Sequence, residues 1–523
     1  MPKIKNKKTL IILLSIFIFA IIVRFINFRE SLYFGYDEAR DAFDSQNIYL
    51  LGDIKLSGPP ASAFKGINHG PIYLYFIGPL FLLGGGNPYF VSAIFRIINA
   101  LAIFPVYFLT NLYFGNIAGI ISAFLFAVSY EQHQYAIFTG NPSLSNLFWI
   151  VLFLGAGIVY KYKEKRKLGL FLMFSGAAAI LQFDLILAYS LIALALLLLL
   201  LRNKLKGIAK KDWLKITFLG FLPAYSYLLA EIRNDFLGVK TLQRIVFSGV
   251  SSLTGGENPY LIFFNNFVGL FEDNVFNLFP NTSIHFILFL VLIGFLLIKA
   301  RSKFPAYFVL IWILSIFSLL ITRGFMPYYS YAGVGIGVIV GAGFLIKEVH
   351  KKTKVLALII LMLILFGNLT RIIDQSQKAL IVDIKAQPGM KLSDEIEIVN
   401  KTYEYAGREG FTIRTTTMPY KIQTVWAYLY QQYGLNIYGY LPYFETGNVE
   451  GFPGKLPTPK YGTTCTRFLI REPVRGIPVG LINSDVEEEN LFSEVVKEEK
   501  IGDFILQTRK ATDEICHTEK ASF

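Results

Sequence analysis

Eleven apolar runs, separated by short clusters of lysine and arginine, fill the first 370 residues of this 523-residue chain. A helix that spans a bilayer needs about 20 mostly apolar residues, because each residue adds about 1.5 Å across about 30 Å of hydrocarbon. The runs therefore predict a polytopic α-helical membrane protein with about 11 spans. They lie at residues 10–28, 89–112, 117–130, 144–160, 168–181, 185–201, 214–230, 284–298, 304–321, 328–346 and 355–369.

The composition agrees with this class. Hydrophobic residues make up 54% of the chain and charged residues 17%, against about 45–50% and about 25% in soluble domains. This excess of apolar residues excludes a disordered chain or a small secreted domain. The two cysteines, Cys465 and Cys516, are too few for a disulfide scaffold or a cysteine-rich zinc site. The sequence leaves open whether they pair.

The basic clusters predict the orientation of the chain, because short loops rich in Lys and Arg stay in the cytoplasm. The apolar segment 71–83 is too short to span as a helix, and if it did cross, every basic cluster after the first would lie outside. We therefore predict an interfacial or half-inserted helix there, on the outer side. This places the N-terminus in the cytoplasm and the C-terminal segment outside a plasma membrane. The net charge of +13 then orients the protein in the bilayer and does not indicate nucleic-acid binding.

The composition changes near Thr370. We predict a membrane domain over residues 1–370 and a compact extracytoplasmic α+β domain over residues 371–523. In the second domain, the apolar spacing predicts helices at 394–408, 420–433 and 487–500 and strands at 411–417, 436–440, 467–472 and 503–509.

The first outer loop carries the pair Asp37-Glu38 just beyond the first apolar run. A carboxylate at the boundary of water and lipid can deprotonate an acceptor or bind a metal. Alternatively, the two acids simply favour the N-terminus of a surface helix. From the residues alone, all of these readings stay open.

The wider pattern resembles the GT-C superfamily of glycosyltransferases. An N-terminal apolar helix precedes Asp37-Glu38-Ala39, and a Gly-Pro-aromatic segment follows at His69-Gly70-Pro71-Ile72-Tyr73, before many spans and an outer C-terminal domain. The branch most similar includes protein O-mannosyltransferases and the aminoarabinose transferases of lipid A, and the resemblance covers mainly residues 1–201. It implies a polyprenyl-phosphate-linked sugar donor and a catalytic base at Asp37, with Glu38 beside it. We also predict that His69, in the segment that follows, binds the substrate.

A second outer segment, between the third and fourth predicted spans, contains Glu131, His133 and Asn141. The family has a polar or acidic motif here, often with an arginine. In this chain Asn141 stands where many relatives carry a second acid, and the arginine is missing, so a site with two acids around a metal is in doubt. Zinc binding by Glu131 and His133 is disfavoured, because residues two apart on a helix do not face one another. We predict hydrogen bonds to the sugar or acceptor, and the alternative is a solvated turn.

Two further outer positions complete the predicted substrate site. Asp184 interrupts apolar sequence at a junction of two spans, where it either lines the cavity or lies at the outer surface. Arg323, followed by Tyr328 and Tyr329, suits the leaving phosphate of a lipid donor because arginine binds phosphate with two donors. The alternative is an interfacial aromatic belt with an extended arginine.

These features predict transfer of a sugar from a polyprenyl-phosphate donor to an unidentified glycan, lipid or protein acceptor, by single displacement with inversion. The sequence lacks a G-x-x-x-x-G-K-[ST] loop for a nucleotide phosphate, as expected for a lipid donor. The sequence identifies no certain cofactor, and a divalent cation stays an open alternative. The main rival function is a transporter or flippase, and a membrane-anchored receptor or scaffold is the third.

Overall fold

The computed structural model describes residues 7–61, 66–248, 258–275, 282–322, 328–376, 389–459, 464–473, 477–512 and 516. The chain divides into two compact units. The first comprises Met1–Ile26, Lys55–Tyr73 and Ile94–Asp374, and the second comprises Asn27–Ile54, Leu74–Ala93 and Gln375–Phe523. The second unit therefore joins the C-terminal segment to two segments of the outer loop that carries Asp37. The domain division at residue 370 stays a prediction.

The first unit is helical. Its main helices, two of which have their ends in the second unit, are Lys7–Arg24, Pro88–Leu101, Ile103–Phe114, Asn116–Val128, Asn141–Lys161, Arg166–Phe183, Tyr189–Leu205, Lys210–Gly220, Tyr225–Arg233, Thr282–Ala300, Pro305–Leu314, Val334–Lys352 and Lys354–Ser376. Shorter helices at Tyr130–Ile137, Leu237–Ser248 and Pro259–Asn274 connect them.

Each predicted apolar run contains helix, but the predicted number of spans is not confirmed. Among the described residues, five helices are long and apolar enough to cross a membrane, and a sixth span results if the pair Lys210–Gly220 and Leu222–Arg233, bent by 49°, counts as one. Several other apolar helices are shorter, among them Ile72–Leu83. The fold is thus that of a helical membrane protein with a smaller sheet-containing part.

Two central helices of the first unit pack closely at glycines. A Cβ atom on Gly155 would lie 2.6 Å from the carbonyl oxygen of Gly169, and a Cβ on Gly169 would lie 2.7 Å from the carbonyl oxygen of Gly155. Only residues without a Cβ allow two backbones to come this close, as at other crossings of membrane helices. This pair fixes where Asn141–Lys161 and Arg166–Phe183 cross.

The second unit contains a five-stranded sheet, in the order β2-β1-β3-β5-β4. The strands are β1 (Phe411–Thr416), β2 (Tyr443–Phe444), β3 (Thr466–Arg471), β4 (Ser493–Ile501) and β5 (Phe504–Ala511). Strand β1 runs parallel to β2 and β3, and β5 is antiparallel to β3 and β4. The helices of this unit are Tyr36–Leu50, Leu392–Ala406, Thr424–Leu429 with its continuation to Tyr438, and Val479–Asn490, and most of Ile72–Leu83 belongs to it as well. The predicted α+β class of the C-terminal segment is confirmed.

Two predicted elements of the C-terminal segment are wrong. The predicted strand at 436–440 is a helical turn, Asn436–Tyr438, which ends at Gly439 with a φ of 86°. The predicted helix at 487–500 is the end of Val479–Asn490 followed by β4. Its charged residues have helical spacing, but pairing with β5 supplies backbone partners and decides the conformation.

Cys465 and Cys516 form a disulfide, with Cα atoms 4.8 Å apart. Cys465 directly precedes β3, and Cys516 follows β5. The bridge therefore ties the end of the described chain to the centre of the sheet, which answers the question that the sequence left open.

Replacing both cysteines by serine should lower the free energy of unfolding of the C-terminal part by about 4 kcal/mol, because the bridge closes a loop with a sequence separation of 51 residues. The measurement is resistance of this part to protease during a temperature series on the full chain in detergent. Reduction of the wild-type protein is the matched control and should reproduce the effect. An unchanged midpoint in both samples would contradict the prediction.

Candidate functional site

The predicted base lies at the start of the helix Tyr36–Leu50. Gly35 precedes it in an extended conformation, and the carboxylate Oε2 of Glu38 accepts the backbone N–H of Gly35 at 3.1 Å. This contact satisfies one of the amides that a helix N-terminus leaves unpaired. Two acids in the first turn also suit the partial positive charge there.

Asp37 and Glu38 have different surroundings. The Asp37 side chain is 55% exposed, whereas Glu38 is 5% exposed. Adjacent residues on a helix point about 100° apart, so one acid faces outward and the other inward. The structure therefore leaves Asp37 exposed to solvent and gives Glu38 a capping contact.

Arg40 and Asp41 extend this group, and neither is among the site residues predicted from the sequence. Arg40 donates from Nη1 to Asp37 Oδ1 at 2.9 Å, and from Nε and Nη2 to Asp41 Oδ1 at 2.9 and 2.8 Å. Asp41 is buried. Burial raises the pKa of the Asp41 carboxyl to about 7, and the charge of Arg40 acts in the opposite direction. The spacing of Asp37 and Arg40, one helical turn apart, is the sequence signal that could have revealed the group.

In the first unit, Glu131 and His133 lie on Tyr130–Ile137. Ser129 caps this helix by accepting the backbone N–H of Gln132 at 3.1 Å. All eight residues of the helix are buried, so the alternative of a solvated turn does not hold. A polar helix without exposure needs partners inside the protein.

The partner of Glu131 comes from a distant helix. Asn274, at the end of Pro259–Asn274, donates from Nδ2 to Glu131 Oε2 at 2.6 Å and accepts the Ser129 hydroxyl at 2.8 Å. A Cβ atom on Gly335 would overlap the Glu131 carboxylate. The absence of a side chain at Gly335 therefore makes room for Glu131. Neither Asn274 nor Gly335 carries a local signal for this role.

Arg371 forms a second charged group near this helix. Its Nη1 lies 2.7 Å from Asp273 Oδ1 and 3.3 Å from Glu272 Oε1, and its guanidinium lies 4.2 Å from the centre of the Tyr130 ring. His285 Nδ1 is 3.1 Å from Glu272 Oε2. These contacts join the end of Pro259–Asn274 to the helices Lys354–Ser376 and Thr282–Ala300.

His69 and Asp184, far apart in sequence, come together. His69 Nδ1 lies 3.5 Å from Asp184 Oδ1, and both side chains are largely buried. The same Asp184 oxygen accepts the backbone N–H of Ile186 at 3.1 Å, which caps a short helical turn. The backbone of His69 pairs with Gly58 and Pro59 through bonds of 2.8 and 2.9 Å. Asp184 is thus buried inside the protein.

The other predicted residues fall in different places. Asn141 is buried at the start of Asn141–Lys161, and the pocket beside it is lined by Ser143 and Asn146 of this helix together with Tyr135. Tyr328 begins a short helical turn, and Tyr329 is half-buried there. Arg323 lies outside the described residues.

A metal site does not emerge from the acids and histidines of the described segments. No group of three or more His, Cys, Asp or Glu residues there is arranged to hold a metal ion. Glu38 is buried and accepts the Gly35 amide, and Arg40 donates to Oδ1 of Asp37.

No protein-family model matches the chain, and no curated protein sequence matches it. Among solved structures, ArnT from Cupriavidus metallidurans in the apo state aligns with a TM-score of 0.60 at 11% identity, over 98% of this chain and 99% of that chain. The same protein bound to undecaprenyl phosphate gives a TM-score of 0.59 at 10% identity, with the same coverage. An apo oligosaccharyltransferase from Archaeoglobus fulgidus gives 0.48 at 14% identity, over 82% of this chain and 64% of that chain.

The likeness to ArnT extends over nearly all of both chains, and at this identity it concerns the fold. ArnT is a GT-C glycosyltransferase. The chain therefore has the fold of the GT-C glycosyltransferases, as its resemblance to them predicts.

Proposed function

We propose that this protein is a membrane glycosyltransferase. It transfers a sugar from a polyprenyl-phosphate-linked donor to a glycan, lipid or protein acceptor outside the plasma membrane, and Asp37 is the base. The donor class is supported by the shared fold with ArnT, which has been solved with bound undecaprenyl phosphate. The N-terminus and the basic clusters would then face the cytoplasm.

The observation that carries the proposal is the environment of Asp37. Of the acids in the first two turns of its helix, Asp37 is the exposed one, and Glu38 and Asp41 are buried. Arg40 lies 2.9 Å from its carboxylate and is itself held by Asp41. A fixed, accessible carboxylate at a helix N-terminus meets the geometric needs of a general base.

The reaction follows from these roles. Asp37 takes the proton from the acceptor hydroxyl or amine while that atom attacks the anomeric carbon. The bond between the anomeric carbon and the phosphate oxygen breaks, and the polyprenyl phosphate leaves with the electron pair. A single displacement of this kind inverts the anomeric configuration.

We assign donor binding to polar groups of the first unit. The pair His69 and Asp184 places an imidazole beside a buried carboxylate, and Glu131 accepts a hydrogen bond from Asn274. His133 and Asn141 are further candidates for sugar contacts, and Glu38 supports the helix of the base. Stabilisation of the leaving phosphate by Arg323, with Tyr328 and Tyr329, stays a prediction from sequence.

Asp37→Asn should reduce sugar transfer at least 100-fold, because general-base catalysis contributes about 10²–10⁴-fold. The assay supplies undecaprenyl-phosphate-linked sugars to the purified protein in vesicles, with an envelope glycan and lipid extract as acceptor. Asp44→Asn, on the same helix, is the matched control and should keep its activity. Equal transfer by Asp37→Asn and wild type would overturn the assignment of the base, and flux across the vesicle without product would favour a transporter.

Protonation of the Asp41 carboxyl should make the transfer rate fall on the acidic side of the pH–rate profile, which we call the acidic limb. With a pKa of about 7, Asp41 is ionised above that pH and holds Arg40, and it becomes neutral as the pH falls. Transfer by the wild type should therefore decline below about pH 7. Asp41→Asn, which is neutral at every pH, should be several-fold slower at pH 8 and should lack this limb. A limb that persists unchanged in Asp41→Asn would contradict the role of Asp41.

Gly335→Ala should disturb the Glu131 site, because the added methyl group overlaps the Glu131 carboxylate. Such overpacking costs about 1–3 kcal/mol, so we expect a lower thermal midpoint and slower transfer. Gly294→Ala is the control, since a Cβ there meets nothing within 4 Å. The double variant with Glu131→Gln and Gly335→Ala should lose less activity than the sum of the losses, in free energy, of the two single variants, because both changes act on the Glu131 carboxylate. A double variant whose loss equals that sum would show that the added methyl group acts at another place.

A further inference from the structure

The C-terminal segment packs directly against the helix that carries Asp37, within the second unit. The contact begins just before that helix, where the backbone N–H of Phe34 donates to the Met390 carbonyl at 3.2 Å and the N–H of Leu392 donates to the Leu32 carbonyl at 3.0 Å. These bonds fix the chain as it enters the helix.

Tyr428 lies at the centre of the contact. It belongs to Thr424–Leu429 and is 3% exposed. Its ring lies against three phenylalanines of the outer-loop segments, with ring centres 5.4 Å from Phe34, 4.9 Å from Phe43 and 6.2 Å from Phe81. Aromatic groups at these distances pack favourably edge to face.

The Tyr428 hydroxyl forms two hydrogen bonds in addition to the ring contacts. It donates to the Gly86 carbonyl at 2.6 Å and accepts Gln46 Nε2 at 3.4 Å. Because hydrogen bonds depend on distance and angle, a buried phenol that forms them with two separate segments fixes the distance between those segments. Tyr428 thus links the segment around Gly86 to the helix Tyr36–Leu50.

A second stretch of the C-terminal segment follows the same helix. The Tyr36 hydroxyl donates to the Glu450 carboxylate, and Asn47 Nδ2 donates to the Gly451 carbonyl at 2.7 Å. Phe43 and Phe452 have ring centres 5.6 Å apart. Tyr36, Phe43 and Asn47 share one face of the helix by their spacing, and Asp37 lies on the adjacent face.

We propose that the C-terminal domain is a positioning element for the Asp37 helix, with Tyr428 as the residue through which it acts. The proposal rests on the proposed function, because it concerns the placement of the proposed base. A base must lie within hydrogen-bond reach of its proton, and a displacement of about 1 Å can cost about 100-fold in rate. Tyr428 does not touch substrate in this account and acts through the helix.

The test uses two variants of the full-length protein that each lose one buried hydroxyl. Tyr428→Phe removes the bonds to Gly86 and Gln46. Tyr430→Phe, two residues further on, removes a 2.9 Å bond to Thr402 that lies wholly within the C-terminal segment. Two quantities are measured: hydrogen exchange of amides 36–50, and kcat and KM for an undecaprenyl-phosphate-linked sugar in vesicles.

We expect Tyr428→Phe to speed exchange of these amides and to lower kcat about five- to tenfold with KM for the donor unchanged, while Tyr430→Phe leaves both quantities as in the wild type. In an Asp37→Asn background, Tyr428→Phe should have no further effect on the rate. Unchanged exchange in Tyr428→Phe, or faster exchange with an unchanged kcat, would overturn the proposal. A wild-type protein without transfer activity would instead overturn the proposed function, and the exchange result would still decide whether Tyr428 fixes the helix.

Discussion

A helix that ends inside a buried polar region leaves its last carbonyl groups without donors, and each unpaired group is costly in a bilayer. Arg24 resolves this at the end of Asn116–Val128. Its guanidinium donates to the carbonyls of Phe126 and Ala127 at 2.8 and 2.9 Å and to Asn99 Oδ1 at 2.9 Å. The Arg24 carbonyl in turn accepts Arg96 Nη1 at 2.7 Å. Two buried arginines thus fix the point at which the chain leaves its third predicted span.

The placement of the buried polar helix Tyr130–Ile137 depends on that point. Ser129 directly follows the carbonyls that Arg24 caps. Its hydroxyl accepts the Gln132 backbone N–H, which caps the helix, and donates to Asn274 Oδ1. Glu131 then meets Asn274 and the space left by Gly335. Polar groups in the membrane unit are therefore held by one another, and the apolar helices around them supply the frame.

The apolar helices could be predicted from the sequence, because a chain in hydrocarbon must satisfy its backbone hydrogen bonds internally. Every predicted apolar run accordingly contains helix. The site was only partly predictable. The resemblance predicts Asp37 as the base, but the local sequence does not reveal that Glu38 is buried while Asp37 is exposed. Arg371, Asn274 and Tyr428 have no local pattern, because each acts through a partner more than 90 residues away.

The helix of Asp37 shows why such partners are necessary. A spanning helix is positioned by its apolar surface, but the sequence of Tyr36–Leu50 is largely polar and offers only a narrow apolar face. Phe43 is the large apolar residue at its centre, and it lies between Tyr428 and Phe452. Lipid cannot supply the directional contacts that such a helix requires. A protein with a polar helix of this kind must therefore hold it with other folded segments, and here the C-terminal segment, in the same compact unit, packs against the helix of the proposed base.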